Sequence, residues 1–475
     1  MLLKKHLFIN GIWKETSQYT VLKSPYSGQA IAEIAVATDE DVNKAIEAAS
    51  IASKIIAKLP AHKRSAILYK VAALLQERLD EAARIIAMEA GKPISTAKTE
   101  VLRTIQTYKF AAEEANRITG ETLPLDAAPG GEGKIAYTVR EPIGVIGAIT
   151  PFNFPMNLVA HKVGPAIAAG NAVVLKPASQ TPLSALFIAD LFEIAGLPAG
   201  ALNVITGSGK MVGDLIVADD RINMITFTGS PAVGISIKNK AGLKRVTLEL
   251  GSNSALIVDE GVQIENIIPR CVNGAFSFQG QVCISLQRIY VHETIYDEFV
   301  SKFVAETKKL KHGDPLDPET DISALISTND VSRVMDWIEE AEQGGADIVS
   351  GGQVEGNILL PTVITNVSAS LKVSCEEVFG PIVLINKIGS VEQGIELVND
   401  SRFGLQAGIY TNNIHTAMMA AEKLHVGGVM INDIPTFRVD HMPYGGVKES
   451  GTGKEGIKYA VQEMTELKLV VINRN

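Results

Sequence analysis

Between residues 142 and 250, short apolar runs alternate with longer segments whose apolar residues recur at helical spacing. Near-continuous apolar strands are typical of a parallel sheet that helices cover on both faces. The predicted strands are 145–149, 172–175, 201–205 and 224–227, and the predicted helices are 158–169, 184–195, 211–218 and 233–239. The pattern therefore predicts an α/β domain in this part of the chain.

Helical spacing also dominates the residues before this region, after a short predicted strand at 7–9. Thr38 and Asp41 form a predicted capping box for the first helix, and further helices are predicted at 63–76, 79–90 and 96–117. Residues 120–141 break the pattern with a glycine-rich turn and an alternating strand at 134–140. This hairpin has too little apolar surface for a core of its own, so we expect it to pack on another subunit.

The stretch around Cys283 joins a predicted helix to a predicted strand. Helical spacing covers 263–278, where Pro269 should kink the helix, and Gly280 separates it from a strand at 289–291. Cys283 thus lies at an element end, where a side chain can face a cleft. A thiolate is a strong nucleophile, but free cysteines are more often simply buried. The local pattern leaves both interpretations open.

Composition limits the classes of protein that fit. The 475 residues are enough for two or three domains, and 46% hydrophobic and 20% charged residues are typical of a globular protein. A net charge of −9 without a long basic run argues against a nucleic-acid partner. Three widely spaced cysteines without a CxxC pair argue against a metal site and a disulfide framework. We recognise neither a signal peptide nor a membrane-spanning run, so we expect a cytoplasmic protein that does not bind membranes.

The ends of the four predicted strands are rich in hydroxyls, amides and glycine, at 150–153, 176–179, 206–209 and 228–230. Parallel sheets bind ligands at these ends, and this composition suits nucleotide phosphates and ribose. The glycines at 207, 209 and 213 resemble a dinucleotide fingerprint, but the last spacing is one residue too long. Gly209-Lys210 lacks the earlier glycine and the following Ser or Thr of a P-loop, which removes the main support for a kinase or NTPase.

Two acidic residues stand in unusual surroundings. Glu249 lies in an apolar segment that runs into Gly251, and a buried carboxylate is costly unless it has a partner or a purpose. It is either a salt-bridged residue at a strand end or a general base. Glu377 precedes Val378 and Phe379, and it is either a solvated acidic turn or part of a site.

Six motifs occur together, in an order and at a spacing that resemble the aldehyde dehydrogenase superfamily. They are Thr150-Pro151-Phe152-Asn153-Phe154-Pro155, Leu175-Lys176-Pro177, Phe227-Thr228-Gly229-Ser230, Leu248-Glu249-Leu250-Gly251, Gly280-Gln281-Val282-Cys283 and Glu377-Val378-Phe379-Gly380-Pro381. The resemblance extends to the segment 443–451, and it departs from the family where Ser252 replaces a frequent second glycine. It implies an α/β aldehyde dehydrogenase fold, with a Rossmann-like cofactor domain, an α/β catalytic domain and a small β oligomerisation element.

The resemblance also implies domain boundaries and a mechanism. Residues 1–119 and 142–250 would form the cofactor domain, 251–425 the catalytic domain, and 120–141 with 460–475 the oligomerisation element. The last strand, 467–472, would then pair with the catalytic sheet of a neighbouring subunit in a homodimer or homotetramer. Cys283 would attack an aldehyde, Asn153 and the backbone N–H of Cys283 would hold the oxyanion, and Glu249 would activate water to release a carboxylic acid.

The cofactor expected from the resemblance is NADP or NAD. Lys176 and Glu377 match residues that bind ribose hydroxyls, Phe379 one beside the nicotinamide ribose, and Gly229-Ser230 the start of a helix that receives the pyrophosphate. Ser179 stands where many NAD-preferring relatives carry Glu, so NADP should be accepted. The expected cofactor residues are Thr150, Pro151, Phe152, Lys176, Ser179, Gly209, Gly213, Phe227, Gly229, Ser230, Val233, Leu250, Glu377 and Phe379.

The substrate expected is a short aldehyde with an anionic tail, as for succinate-semialdehyde, lactaldehyde and non-phosphorylating glyceraldehyde-3-phosphate dehydrogenases. The resemblance places Arg103, Phe154, Leu158, His161, Val282, Ile284 and Arg438 along the aldehyde entrance. Two guanidinium groups and a histidine suit a carboxylate, phosphate or sulfonate, although Arg103 could be solvated and Arg438 could pair with Asp440. Val282 replaces an Arg usual in the phosphate-using relatives, which weakens the case for phosphate.

Three alternatives stay open at this stage. The protein could oxidise neutral aldehydes with broad specificity. It could pass its thioester to coenzyme A, although such enzymes typically lack the Glu249 base. It could also be a non-enzymatic binding protein, since fold alone does not establish activity, but Cys283, Asn153 and Glu249 are all retained.

Overall fold

The structure is a computed structural model, and it describes residues 2–474. Its α-helices surround two large sheets. The helices are Asp39–Ile56, Ala61–Glu77, Leu79–Ala90, Ile94–Glu114, Asn157–Ala169, Pro182–Ala195, Gly209–Ala218, Pro231–Lys240, Ile264–Phe276, Tyr296–Thr307, Thr328–Gln343, Lys372–Cys375, Val391–Asn399, Ile414–Lys423 and Ile457–Glu463.

The first large sheet has eight strands, and its middle strands are parallel. In spatial order the strands are Gly451–Thr452, Arg245–Glu249, Met224–Thr228, Val145–Ile149, Ala172–Lys176, Leu202–Val204, Leu7–Ile9 and Ile12–Lys14. The parallel strands are buried along their length, as their near-continuous apolar sequences predict. The alternation of parallel strands and helices predicted for 142–250 is confirmed.

The second large sheet has seven strands and is parallel except at its first strand. In spatial order these are Asp347–Ser350, Thr362–Thr365, Ile382–Ile388, Arg288–His292, Ala255–Val258, Gln406–Tyr410 and Gly428–Ile431. Separate groups of buried side chains pack on its two faces. The active-site cysteine expected from the sequence lies in a loop that enters this sheet, so the two sheets meet around it.

A third sheet of three strands contains Thr122–Leu123, Lys134–Pro142 and Thr465–Asn473. The last two pair antiparallel over nine residues within one chain. The family resemblance groups both segments in one element, but the sequence did not predict that they pair with each other, because they are more than 300 residues apart. One edge of Thr465–Asn473 stays open in the sheet order, with Leu467, Leu469 and Val471 exposed.

Smaller pairings complete the strands. They join Lys4–Lys5, Ala30–Ala35 and Tyr19–Lys23, then Val354–Glu355 and Ile358–Leu359, and finally Phe403–Gly404 and Val447–Lys448. The capping box of Thr38 and Asp41 is confirmed. Between Leu2 and Arg474, none of the helices is both long and apolar enough to cross a membrane.

Candidate active site

A cavity of about 550 Å³ opens where the strand ends of the first sheet face the loops around the second. The first sheet contributes residues 151–154, 228–230 and 249–251 to its wall. The facing wall includes Cys283, Glu377, Phe379, Arg438 and Tyr444. Parallel strands thus direct their carboxyl ends at the loop that carries the cysteine.

The loop before Cys283 is tightly fixed. The helix ends at Phe276, two residues short of its predicted end, because Phe278 and Gln279 adopt positive φ angles of 49° and 54°. A Cβ on Gly280 would lie 2.1 Å from the backbone oxygen of Gly380, so only glycine fits there. The Gln279 side chain donates to the backbone oxygens of Gly91 and Ala324 at 3.0 and 2.9 Å. Strained backbone held in this way is typical of functional sites.

Cys283 faces the cavity, and its nearest polar partner is a tyrosine. The Sγ atom lies 2.9 Å from the hydroxyl of Tyr444. Burial raises the pKa of the Cys283 thiol to about 11, while the Tyr444 hydrogen bond and the charge of Arg438 oppose that rise. The hydroxyl of Tyr444 and the guanidinium of Arg438 thus offset part of the effect of burial on this thiol.

Asn153 is buried next to this loop. Its Nδ2 donates to the backbone oxygen of Gln281 at 3.0 Å, and its Oδ1 has no hydrogen-bond partner. The buried Lys92 ammonium donates to the backbone oxygen of Asn153 at 2.6 Å and lies over the rings of Phe154 and Phe278. The position of Asn153 thus depends on a charge that the sequence did not single out.

Lys92 is compensated by Glu100, with which it forms a fully buried salt bridge. The other Glu100 oxygen accepts the backbone N–H groups of Met156 and Asn157 at 3.0 and 3.2 Å. These groups lie at the start of the helix Asn157–Ala169, where backbone N–H groups lack partners within the helix. The buried pair of Lys92 and Glu100 therefore holds this segment both at Asn153 and at the start of the following helix.

Glu249 is buried at the end of its strand, and neither carboxylate oxygen has a hydrogen-bond partner. The interpretation as a salt-bridged residue is therefore wrong. Gly445 approaches it closely, since a Cβ there would lie 2.8 Å from Oε1. Burial and the negative charge of Glu455 raise the pKa of Glu249 well above its usual range. A carboxyl in this state suits proton transfer.

Glu455 is a second buried carboxylate in the same cavity, and it is fully paired. Its oxygens lie 3.1 Å from the Lys162 ammonium and 3.0 Å from the Arg438 guanidinium. Burial opposes ionisation, but these two cations hold the pKa of Glu455 at about 2. One alternative from the sequence was that Arg438 pairs with Asp440. The structure shows instead that Arg438 pairs with Glu455.

Asp440 pairs with Arg103 instead. Arg103 donates through Nε and Nη2 at 3.2 and 2.7 Å, and Asn157 and His161 also contact the carboxylate. Burial would raise the pKa of Asp440, but the hydrogen bonds from His161 and Arg103 hold it far below its usual range. Arg103 thus lies at the cavity wall with a carboxylate partner, and it is not simply solvated.

The family resemblance places His161 at the aldehyde entrance, but in the structure His161 does not line the cavity. Its side chain is fully buried behind the wall, with Nε2 2.9 Å from Asp440 and 3.3 Å from Arg438 Nη2. Burial and the nearby charge of Arg438 lower the pKa of His161.

A second group of polar residues lies at the strand ends beside the cavity. The Lys176 ammonium is buried and donates to the backbone oxygen of Pro177 at 2.9 Å, and burial lowers its pKa to about 8. Ser179 is exposed and donates to the backbone oxygen of Gly207. A Cβ on Gly209 would still lie 4.0 Å from the Lys176 ammonium, so the start of this helix leaves space. A buried amine without a carboxylate partner fits a ligand rich in hydroxyls or phosphates.

Glu377 and Phe379 lie where this group meets the cavity. Glu377 accepts the backbone N–H of Ser252 at 2.9 Å, and burial raises its pKa to about 7. A Cβ on Gly251 would lie 2.5 Å from Glu377, so glycine is needed there. Phe379 has a φ of 50° and contacts Phe152 edge to face. Glu377 is therefore not a solvated turn.

The structure brings some of the expected site residues into the cavity and leaves others outside it. Those that line it are Asn153, Glu249, Cys283, Pro151, Phe152, Gly229, Ser230, Leu250, Glu377, Phe379, Arg103, Phe154, Leu158, Val282, Ile284 and Arg438. Thr150 and Phe227 are buried beside it, while Lys176, Ser179, Gly209, Gly213 and Val233 belong to the neighbouring strand ends and helices. No cluster of potential metal-binding side chains occurs in the part of the chain that is described.

Sequence reasoning missed Tyr444, Lys92, Glu100, Lys162 and Glu455. A signal existed for Lys162, since it places a charge in the largely apolar helix Asn157–Ala169. Glu455 shows no comparable local signal, and it contacts Lys162 across 293 residues of sequence. Long-range charge pairing of this kind cannot be found from periodicity.

The chain matches the aldehyde dehydrogenase family over residues 13–470. It is 49% identical over 467 residues to the 3-sulfolactaldehyde dehydrogenase of Priestia megaterium, a match that covers 98% of each chain. Aldehyde dehydrogenase 21 of Physcomitrella patens, solved with its reaction product succinate, superimposes with a TM-score of 0.98 at 41% identity and covers 100% of this chain and 99% of its own.

An NADP-dependent glyceraldehyde-3-phosphate dehydrogenase of Bacillus halodurans, solved with NADP, gives a TM-score of 0.97 at 37% identity and covers all of both chains. The match to the family model spans nearly the whole chain, and these relatives share its full length. The chain belongs to the aldehyde dehydrogenase family, and it is an oxidoreductase that acts on aldehydes with NAD(P) as its cofactor.

Proposed function

We propose that this protein oxidises a short aldehyde with an anionic tail, and that Arg103 and Arg438 bind the tail. The observation that carries the proposal is that both guanidinium groups line the cavity of Cys283 and keep unused donors. Arg103 pairs with Asp440 through Nε and Nη2, which leaves Nη1 outside that pair. Arg438 pairs with Glu455 through Nη2, and its buried Nε has no partner. Guanidinium donors match the oxygens of a carboxylate, sulfonate or phosphate.

The size of the substrate follows from Tyr444. Its hydroxyl contacts Cys283, and the Arg438 guanidinium stacks on its ring, 3.7 Å from the ring centroid. A tail that reaches Arg438 from a carbon bound to Sγ therefore spans about the length of one tyrosine ring. Three- and four-carbon aldehydes have that reach. The sulfonated substrate named for the Priestia relative and the succinate bound to the moss relative support the same class.

In the proposed reaction, the Cys283 thiolate attacks the aldehyde carbon and forms a thiohemiacetal. The oxygen becomes an oxyanion, which the second Nδ2 hydrogen of Asn153 and the backbone N–H of Cys283 stabilise. Lys92, paired with Glu100, holds Asn153 in place through its backbone oxygen. Loss of hydride then leaves a thioester on Cys283.

Glu249 completes the proposed reaction. Its unpaired oxygens can take a proton from water, and the hydroxide attacks the thioester to release the carboxylic acid and regenerate Cys283. The raised pKa of Glu249 makes it a stronger base once ionised, and its lack of fixed partners leaves room for a water molecule.

The residues at the strand ends fit the nicotinamide dinucleotide. Lys176 and Glu377 would hold ribose hydroxyls, Gly229 and Ser230 would receive the pyrophosphate at the start of the helix Pro231–Lys240, and Phe379 would flank the nicotinamide ribose. When bound, this cofactor accepts the hydride. Ser179 is small and neutral where a carboxylate would repel a 2′-phosphate, which supports acceptance of NADP.

A second candidate substrate is a short neutral hydroxyaldehyde. The observation that favours it is that each arginine already has a buried carboxylate partner, Asp440 or Glu455. The tail region therefore carries less free positive charge than its two arginines suggest. A hydroxyl group could use the remaining N–H donors without an anion.

An aldehyde panel on the unmodified enzyme tests the proposal. We expect kcat/KM for 3-sulfolactaldehyde or succinate semialdehyde to exceed that for propionaldehyde by on the order of a hundredfold, since a charge-assisted contact contributes about 1.5–3 kcal/mol. Each aldehyde should be measured with NADP+ and with NAD+. Equal values for anionic and neutral aldehydes would contradict an anionic-tail site and favour the second candidate.

We also infer a homodimer or homotetramer in the cytoplasm. The open edge of Thr465–Asn473, with its exposed apolar residues, supports association with another subunit. Three free cysteines support a reducing compartment. Native mass spectrometry of the purified chain tests the first inference, since a monomer at all concentrations would contradict it.

A further inference from the structure

Tyr444 is buried against the sulfur of Cys283. Its side chain is 2% exposed, and its hydroxyl lies 2.9 Å from Cys283 Sγ. Its backbone forms two hydrogen bonds with Glu455, of 3.1 Å from the Tyr444 N–H and 2.7 Å to its carbonyl oxygen. The hydroxyl is thus held at the reacting sulfur by a fixed backbone.

Arg438 fixes the ring from its face. The guanidinium carbon lies 3.7 Å from the ring centroid, and the Glu455 carboxylate holds the guanidinium at 3.0 Å. A cation on an aromatic face is attracted to the π electrons of the ring. It draws electron density from the phenol, which makes the O–H group a stronger hydrogen-bond donor. Glu455, Arg438 and Tyr444 form a continuous chain of contacts that ends at the sulfur.

The direction of the hydrogen bond follows from the chemistry of the two groups. Burial raises the pKa of the Tyr444 hydroxyl well above its usual range, so Tyr444 keeps its proton. A thiolate can only accept. In the ionised state of Cys283, Tyr444 must therefore be the donor, and a hydrogen bond to a charged acceptor is stronger than one to a neutral thiol.

We propose that the Tyr444 hydroxyl is a catalytic group that stabilises the Cys283 thiolate, and that Arg438 positions and polarises it. This inference rests on the proposed role of Cys283 as nucleophile. In the step itself, the thiol proton passes to water in the cavity and Tyr444 keeps its own. When the sulfur then bonds to carbon, the hydrogen bond from Tyr444 weakens because the negative charge has left the sulfur.

The test is the rate at which iodoacetamide alkylates Cys283 in full-length Tyr444→Phe, in a Cys375→Ala background that removes the exposed cysteine. The thiolate sulfur bonds to the reagent's methylene carbon and iodide leaves, so the rate follows the thiolate fraction. Loss of the hydrogen bond should lower this fraction, and the greater reactivity of a more basic thiolate offsets part of the effect. We expect alkylation to be roughly threefold to tenfold slower at every pH below the midpoint, with the pH curve displaced upward by about one unit.

Tyr108→Phe is the matched control. Tyr108 is fully buried, and its hydroxyl has no hydrogen-bond partner and does not line the cavity. Its replacement should leave the rate and the pH curve unchanged. The ultraviolet absorbance of the thiolate, titrated in the same variants, gives a second reading that does not depend on reactivity. It should show the same upward displacement in Tyr444→Phe alone.

An unchanged rate and an unchanged titration in Tyr444→Phe would overturn the inference, because the hydroxyl would then only fill space. The proposed function fails in a different way. If Cys283→Ala in the same background were alkylated and inactivated as fast as the parent, Cys283 would not be the reacting thiol, and both proposals would fall.

Discussion

The two ends of the cavity treat their charged groups in opposite ways. At the reacting end, Glu249 has no partner on either oxygen, and Asn153 Oδ1 is also unpaired. At the tail end, Arg103 and Arg438 are each paired with a buried carboxylate. Glu249 and Glu455 are each 3% exposed, yet the pKa of Glu249 is raised and that of Glu455 is lowered to about 2.

This difference teaches how one cavity can serve two tasks. Unpaired buried groups are costly, and they persist where substrate or water completes them during the reaction. Paired groups keep their charge over a wide pH range and change little when the substrate arrives. We therefore expect the reacting end to control the rate and its pH dependence, and the tail end to control selectivity.

The largest expected effect comes from the reacting end. Cys283→Ala should lower kcat by on the order of a thousandfold or more, because no other group can form the thioester. Binding of NADP+, measured by fluorescence titration, should be retained since its site lies at other residues. Cys375→Ala provides the control and should remain active. Substantial turnover in Cys283→Ala would contradict the role of Cys283 as the nucleophile.

The tail end should show a smaller and selective effect. Arg103→Gln should lower kcat/KM for the anionic aldehyde by roughly tenfold to a hundredfold, and for propionaldehyde far less. Arg438→Gln should show the same selective loss on top of a smaller loss common to both aldehydes, because Arg438 also contacts the ring of Tyr444. Arg270→Gln is a matched control, because Arg270 forms a similar two-point pair with Asp433 on the surface. Equal losses on both aldehydes would show that these arginines hold the fold of the site and not the tail.

The Lys92–Glu100 pair should affect rate without selectivity. Changing only Lys92 would leave Glu100 buried and uncompensated, so the double variant Lys92→Met with Glu100→Gln is the better test. Because Asn153 loses its backbone anchor, kcat should fall roughly tenfold for anionic and neutral aldehydes alike. A change in the ratio of the two kcat/KM values would instead link this pair to the tail end.

The smallest expected effect is on pH dependence, which should differ between the reacting end and the tail end. Glu249 and Cys283 have raised pKa values, so their basic forms grow as pH rises, and kcat should increase between about pH 6 and pH 9. At the tail end, Asp440 and Glu455 have lowered pKa values and remain ionised, and the pKa of Arg438 is raised. The selectivity ratio for a sulfonated over a neutral aldehyde should stay constant over that range. A selectivity ratio that changes with pH would contradict the assignment of rate to the reacting end and selectivity to the tail end.

The sequence predicted the parallel sheet, the helices around it and the loop of Cys283, because apolar periodicity and glycine positions are local signals. It also led to Glu249, whose charge in an apolar strand is a local anomaly. In both cases the information lies within a few residues. The family resemblance added the cofactor and the chemistry.

The sequence could not predict the features that depend on distant contacts. The strand pairing of Lys134–Pro142 with Thr465–Asn473 joins segments that are more than 300 residues apart in the chain. The contact of Tyr444 with Cys283 spans 161 residues, and the pair of Arg103 with Asp440 spans 337. His161 was placed at the cavity wall, but three charged neighbours surround it behind that wall. Side-chain pairing in three dimensions decided each of these positions.

Intact-protein mass spectrometry of Glu249→Gln tests the central claim most directly, namely that an unpaired carboxylate at the reacting end releases the product. The variant is mixed with NADP+ and the aldehyde that the panel shows to be oxidised fastest, and Glu89→Gln, a change at a buried glutamate outside the cavity, is treated in parallel. We predict one acyl group bound to Cys283 per chain and one equivalent of NADPH before turnover stalls, while Glu89→Gln continues to turn over. Steady turnover without an acyl adduct in Glu249→Gln would contradict the account.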